Sequence, residues 1–89
     1  MLIRSQDKKG IYFLDKSSRI KILSLTDDEH VVALNNHYIG VYSNEEKAIK
    51  VLDMIQTKYF EHITVETQGA IVSILERPKT FQMPQDSEV

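Results

Sequence analysis

The sequence predicts an α+β fold, an antiparallel β-meander of about five to six strands with one main amphipathic helix packed on a face. Short β-prone runs alternate with polar turns over the first half of the chain. Two apolar runs then flank the pair Asn35-Asn36, and asparagine tolerates the positive φ that a two-residue hairpin turn requires. A helix-period apolar pattern follows directly, with Ser43 and Glu46 at capping-box spacing.

The first strands are expected over residues 2–5, 11–14 and 19–25, each separated from the next by turn-forming residues. In the third run, Ile20 and Ile22 fall on one face of the strand, because side chains alternate along an extended chain. A last strand is expected over residues 80–83, ended by Pro84.

A two-residue turn at Asn35-Asn36 would fix the register of the hairpin, with Leu34 opposite His37 and Val32 opposite Ile39. The apolar set expected to share the core face is Val32, Leu34, Ile39 and Val41. The set left for the opposite face is Ala33, Tyr38, Gly40 and Tyr42. Gly40 indicates a bulge or a close approach of another group to the backbone.

The helix is expected from about residue 44 to about residue 62, with an apolar stripe that packs on the sheet. The stripe consists of Ala48, Val51, Leu52, Ile55, Tyr59 and Ile63. Residues 70–75 fit a strand or a short second helix equally well, since periodicity does not separate the two over six residues.

A chain of 89 residues forms one domain, expected over residues 1–84, with residues 85–89 as a flexible C-terminal tail. The chain contains no cysteine, so disulfides, thiolate nucleophiles and zinc sites with cysteine ligands are excluded. This composition, together with polar residues directly after Met1, favours a cytoplasmic protein without a signal peptide. The apolar runs are too short to span a membrane.

The reactive side chains do not converge in the predicted fold. His30 and His37 would lie about 13 Å apart along the hairpin, too far to share a metal ion. The carboxylates cluster in a turn, in the first turn of the helix and near the C-terminus, where each has a structural explanation. We therefore expect no catalytic residue, no metal and no cofactor. An enzyme or small-molecule module would instead require a pocket near His37 or His62 with a perturbed carboxylate.

The charge is asymmetric, since residues 1–21 carry a local +4 although the formal net charge of the chain is −2. A nucleic-acid-binding protein is therefore the alternative function, and it would use Lys8, Lys9, Arg19 and Lys21. That alternative requires the four side chains to share one face, with Tyr12 exposed for stacking. The pI of about 5.9 argues against it.

The preferred function is a small non-enzymatic protein-interaction or regulatory module. Tyr38 and Tyr42 would anchor a protein partner if the second hairpin face points away from the core. An equally good interpretation packs both rings under residues 64–79. Self-association through an unpaired edge strand is a further expectation.

Several segments resemble a family of small, functionally uncharacterised proteins of Gram-positive bacteria and their phages or mobile elements. The matching residues are 3–8, 39–48, 51–52, Ile55 and 81–84, and the resemblance covers most of the chain except 64–79. The family often has leucine where Ile39 stands. The resemblance implies a compact α+β fold and no activity, and it carries over no catalytic or ligand-binding residue.

Overall fold

A computed structural model describes residues 1–63, 67–68, 71–72 and 80–89 of the chain. The architecture is α+β, as predicted, with one main helix packed against strands. The described strands are β1 (Leu2–Arg4), β2 (Ile11–Phe13), β3 (Ile20–Thr26), β4 (Glu29–Leu34), β5 (His37–Tyr42), β6 (Thr67–Gln68), β7 (Ile71–Val72) and β8 (Thr80–Gln82). The helix α1 spans Glu45–Ile63, and a 3₁₀ turn spans Asp86–Glu88.

The described strands form three sheets. Strands β3, β4 and β5 make the expected antiparallel meander, and β6 pairs with β7 in a two-stranded antiparallel ladder. In the remaining sheet, of order β2-β1-β8, β1 is antiparallel to β2 but parallel to β8. The meander predicted from sequence is therefore interrupted, because residues from both ends of the domain share one sheet. Of the open segment 70–75, Ile71–Val72 is a strand, and the rest lies outside the described residues.

The hairpin turn is the one predicted, but the register of β5 is not. Asn35 and Asn36 have φ of 49° and 71°, and Leu34 lies opposite His37. Further along, Ala33 lies opposite Tyr38 while Val32 lies opposite Gly40, so Ile39 is an extra residue in β5. One extra residue reverses which side chains face the core beyond it.

The bulge changes the core that the hairpin supplies. Ile39 and Tyr42 are both buried, whereas Val41, expected inside, is 42 % exposed. Gly40 supplies the close approach that the sequence indicated. A Cβ atom there would lie 3.0 Å from Met83 Cε and 3.0 Å from atoms of the Tyr42 ring.

One core joins the two three-stranded sheets and the helix. Ala48, Val51 and Ile55 of α1 are buried in it, and Tyr59 packs against its edge, which confirms most of the predicted stripe. The sheets contribute Ile3, Leu14, Val32, Leu34, Ile39, Tyr42, Phe81 and Met83. The side chain of Ile63 lies outside the described residues.

The helix is capped by Asn44 and not by Ser43. The Lys47 N–H donates to Asn44 Oδ1 at 2.8 Å, and α1 begins at the residue after Asn44. Ser43 is used differently, since its N–H donates to the carboxylate of Asp86 at 2.8 Å. The predicted capping box is therefore wrong in its first residue, because the cap is Asn44 and the sequence predicted Ser43.

Residues 85–89, predicted to form a flexible tail, make contacts with the rest of the chain in the structure. Lys47 Nζ lies 3.3 Å from Asp86 Oδ2, and Gln85 Nε2 donates to the Gln6 carbonyl at 2.7 Å. Val89 packs against the core. These contacts tie the C-terminal residues to the start of α1 and to the turn between β1 and β2.

Candidate protein-interaction surface

Tyr42, expected as an exposed anchor for a partner, is a core residue. Its side chain is only 1 % exposed, and its hydroxyl donates to the Pro84 carbonyl at 2.8 Å. Burial raises the pKa of the Tyr42 hydroxyl well above its ordinary value, and the nearby carboxylates of Asp86 and Glu88 raise it further. The bulge at Ile39 is the reason, because it turns Tyr42 toward the core.

Tyr38 is exposed over 54 % of its area. It lies opposite Ala33, on the face of the meander that also carries Val41. Ala33 and Val31 of β4 lie on this face and are buried, outside the main core cluster. Tyr38 and Tyr42 therefore lie on opposite faces of β5 and do not form one binding surface.

The four basic residues of the nucleic-acid alternative lie on two separate elements. Lys8 and Lys9 occupy the turn between β1 and β2, where Lys8 has φ of 65° and its carbonyl accepts two hydrogen bonds from Arg4. Arg19 precedes β3 and Lys21 lies within it. All four are exposed. Among the described contacts none joins the two pairs.

The aromatic ring that this alternative requires is partly covered. Tyr12 is half-buried, and its ring lies against His37 with the ring centroids 5.7 Å apart. A base would have to displace the imidazole to reach that part of the ring. The nucleic-acid alternative requires four basic side chains on one face and an exposed Tyr12 ring. In the structure the basic residues lie on two elements and the ring is partly covered.

One serine and one histidine lie within hydrogen-bonding distance. Ser24 Oγ is 2.9 Å from His30 Nδ1, and His30 Nε2 is 3.0 Å from the Asp27 carbonyl oxygen. The Asp27 carbonyl accepts from a protonated Nε2, and in the neutral imidazole of that tautomer Nδ1 accepts from the serine hydroxyl. A serine beside an acceptor imidazole is one part of a nucleophilic site. Here the pair and the carbonyl close the turn between β3 and β4, which explains the arrangement structurally.

A cleft of about 330 Å³ lies between α1 and the turn that follows β2. Its lining residues are Leu14, Asp15, Lys16, Ser18, Ile20, Leu52, Ile55, Gln56 and Tyr59. The Asp15 carboxylate accepts from the Ser17 hydroxyl and N–H, which lowers its pKa. A lowered pKa does not suit a general acid. His37 does not line this cleft, and the described residues hold no cluster of three potential metal ligands.

The most exposed large apolar side chain among the described residues lies on β2. Phe13 is 77 % exposed and Ile11 is 57 % exposed, and the two share the outward face of the strand. Leu2 lies directly opposite Phe13 on the same face. We call this set of Leu2, Ile11 and Phe13 the β2 apolar face.

The backbone of β2 is also open on one side. The Leu14 N–H donates to the Met1 carbonyl at 2.8 Å, and the Ser5 N–H donates to the Gly10 carbonyl at 2.9 Å. Because bonded and non-bonded pairs alternate in an antiparallel ladder, Ile11 and Phe13 belong to non-bonded pairs. Their N–H and C=O groups therefore point away from β1, and no described strand pairs with them.

The outer edge of β5, unlike that of β2, is covered by another part of the chain. The Gln6 N–H donates to the Ile39 carbonyl at 2.8 Å, while the Gln6 side-chain amide donates to the Val41 carbonyl at 3.0 Å and accepts the Val41 N–H at 2.9 Å. Gln6 thus occupies the outer hydrogen-bonding groups of β5. In the described part of the molecule β2 has no such cover.

The sequence marked residues 11–14 as β-prone but did not single out Ile11 or Phe13 as binding residues. All four positions of that run are apolar, so alternation alone does not show which pair is buried. Tyr12 and Leu14 turn inward because β1 and α1 pack there.

Within the described residues no helix combines the length and apolar character needed to cross a bilayer. Comparison of the chain with protein-family models, with curated proteins and with solved structures finds no match. The geometry of the surface is therefore the basis for a proposed function.

Proposed function

We propose that this chain is a small non-enzymatic protein-interaction module that binds a protein partner by strand addition at β2. The observation that carries the proposal is the exposure of Phe13 and Ile11 on an edge strand whose outer backbone groups are unpaired within the described residues. Strand addition uses both features, since the backbone groups supply hydrogen bonds and the side chains supply apolar contact.

Exposed edge strands in natural proteins are normally protected from pairing with the strands of other molecules. Natural sheets cover them, shorten them or place lysine, proline or a bulge within them. Strand β2 is short, but its central residues include neither lysine nor proline, and its outward side chains are apolar. Apart from its short length, β2 shows none of these protections among the described residues, and an exposed apolar edge of this kind supports a role in binding.

The reactive groups support a non-enzymatic role. The Ser24–His30 pair closes a turn, and the Asp15 carboxylate is bound by its own turn. We propose the cytoplasm as its location, in keeping with the cysteine-free composition. We also propose that the chain belongs to the family that its sequence resembles, the small, functionally uncharacterised proteins of Gram-positive bacteria and their phages or mobile elements.

Two substitutions at Ile11 test the strand-addition proposal. Ile11→Pro removes an N–H that points away from β1, so the β1–β2 ladder keeps its hydrogen bonds. Ile11→Thr is the matched control, because it also shortens the side chain but keeps the N–H and a β-branched shape. The tagged chain and both variants would each be incubated with bacterial lysate, and captured proteins would be quantified by mass spectrometry.

Proteins bound through β2 should be captured by the wild-type chain and by Ile11→Thr, and lost with Ile11→Pro. Equal capture by all three chains would refute strand addition at β2. The nucleic-acid alternative predicts instead that a single-stranded oligonucleotide shifts in a gel at low salt and that Lys21→Glu abolishes the shift. A shift with that dependence would favour the alternative.

A further inference from the structure

We infer that the strand added to β2 is β2 of a second copy of this chain, antiparallel and centred on Tyr12. This inference rests on the proposed function and names its partner. In this arrangement Ile11 of each copy lies opposite Phe13 of the other. Two copies related by a twofold axis then present the same surface to each other, which is the commonest symmetry of protein dimers.

The backbone geometry limits the registers that are available. The outward N–H and C=O groups belong to Ile11 and Phe13, so these odd-numbered residues must form the bonded pairs across the interface. Three antiparallel registers satisfy this condition, centred on Ile11, on Tyr12 or on Phe13. The side chains that flank β2 distinguish among them.

Charge complementarity selects the register centred on Tyr12. Continued two residue pairs further at each end, past Gly10 opposite Leu14, that register places Lys9 of one copy opposite Asp15 of the other, twice by symmetry. Both side chains are exposed and lie two residues from the strand's outward apolar pair. Asp15 Oδ1 is held by Ser17 and Ser18, which leaves Oδ2 for the lysine of the second copy.

The other two registers bring unlike groups together. Centring on Ile11 places Lys9 opposite the apolar ring of Phe13 in the second copy. Centring on Phe13 places Ile11 opposite Asp15. In both registers a charged side chain lies opposite an apolar one and gains no oppositely charged partner, so neither register has the complementary pair of the register centred on Tyr12.

The resulting assembly continues the β2 apolar face across both copies. The two sheets of order β8-β1-β2 join edge to edge into one sheet of six strands, with β2 beside β2 at its centre. Phe13 then has a cross-strand neighbour on each side, Leu2 of its own chain and Ile11 of the second copy, which gives its ring apolar contacts in both directions along the sheet. A short interface of this kind predicts a dimer whose population rises with protein concentration.

Cysteine cross-linking tests this register. Because the natural chain has no cysteine, only the introduced cysteines can form a disulfide. Ile11→Cys and Phe13→Cys would be prepared as separate proteins, and their mixture would be exposed to a mild oxidant. Residues directly opposite each other meet the Cα spacing of a disulfide, whereas residues displaced by two positions exceed it. Leu25→Cys, an exposed apolar position on β3, mixed with Phe13→Cys gives the rate of random collision.

The inference predicts that Ile11→Cys mixed with Phe13→Cys cross-links at least about tenfold faster than either protein alone and than the Leu25→Cys control. Faster cross-linking of Ile11→Cys with itself, or of Phe13→Cys with itself, would show a different register and refute the one inferred here. Rates equal to the control would refute the second copy as the partner.

Light scattering on the natural chain separates this inference from the proposed function. In one outcome the chain stays monomeric at all concentrations while the wild-type chain captures lysate proteins that Ile11→Pro does not capture. That result would refute the homodimer but would still support strand addition at β2. A monomeric mass with no dependence of capture on Ile11→Pro would refute both. A concentration-dependent dimer that Ile11→Pro abolishes and Ile11→Thr retains supports both.

Discussion

The side chain of Gln6 offers a quantitative test of how the structure closes the edge of β5. Its amide accepts from the Val41 N–H at 2.9 Å and donates to the Val41 carbonyl at 3.0 Å, with a longer contact to the Pro84 carbonyl at 3.3 Å. The amide therefore takes the place of a peptide group of a neighbouring strand. Gln6→Ala removes these side-chain bonds and leaves the two backbone bonds of residue 6, to the Ile39 carbonyl and from the Gln85 side chain.

The magnitude follows from the two short bonds. Each intramolecular hydrogen bond contributes about 0.5–1.5 kcal/mol net to the free energy of unfolding. Val41 is 42 % exposed, so water can solvate its peptide groups once the amide is gone, which favours the lower half of that range. We therefore expect Gln6→Ala to cost about 1–2 kcal/mol, which lowers the melting temperature by about 5–15 °C for a domain of this size.

Urea unfolding monitored by circular dichroism measures this cost. Gln56→Ala is the matched control, since Gln56 is exposed on α1 and alanine is the better helix former, so its free energy of unfolding should stay the same or rise slightly. If Gln6→Ala were as stable as the Gln56→Ala control, the amide would not be closing the edge of β5. Gln6→Ala is expected to leave dimer formation through β2 intact.

Three further predictions concern the helix start, the buried tyrosine and acid stability. Asn44→Ala should cost about 0.5–2 kcal/mol in urea unfolding through loss of the cap, whereas Ser43→Ala should cost less than Asn44→Ala. Tyr42→Phe should cost about 0.5–1.5 kcal/mol through its hydroxyl bond and should leave cross-linking at β2 unchanged; loss of cross-linking would contradict a core role. Hydrogen bonds from the Ser43 N–H, with a smaller contribution from Lys47, lower the pKa of Asp86 below 3.8. Its stabilisation is therefore present above pH 3.8 and lost as pH falls further, so Asp86→Asn should lose less stability than the natural chain on acidification, and equal losses would contradict this.

Local signals in the sequence were sufficient for most elements. The Asn35-Asn36 turn depends on the backbone preference of two adjacent residues, and the helix depends on a periodic pattern that its own side chains complete. Both are present in the structure, with the helix ends within about one residue of the prediction. These elements needed no knowledge of distant parts of the chain.

The errors arise where residues far apart in sequence decide the outcome. The bulge at Ile39 accompanies the packing of Met83 against Gly40, and Ser43 loses the capping role while its N–H is bound by Asp86. Neither partner lies within 40 residues of its contact. A rule based on neighbouring residues therefore misassigns both Tyr42 and the helix cap.

The candidate surface was missed for a related reason. The exposure of Phe13 depends on which face of β2 meets the core, and that is decided by the pairing of β1 with β2 and β8. The parallel pairing of β1 and β8 joins residues almost 80 positions apart, which no local pattern indicates. Exposed edges are a property of the assembled sheets, and the sequence alone does not identify them.

The central structural claim is that α1 lies on the sheets with Val51 inside and Met54 outside. Val51 is 0 % exposed and Met54 is 44 % exposed on the same helix. An unpaired carboxylate at the buried position should cost at least about 4 kcal/mol, most of the stability of a small domain. The same substitution at the exposed position should cost about 0.5 kcal/mol.

The most direct test is the free energy of unfolding of Val51→Asp and Met54→Asp, measured side by side. We predict that Val51→Asp is largely unfolded in water and that Met54→Asp unfolds cooperatively near the midpoint of the natural chain. Two variants of equal stability would show that the helix does not present Val51 to the core, and the architecture on which the β2 surface depends would have to be abandoned.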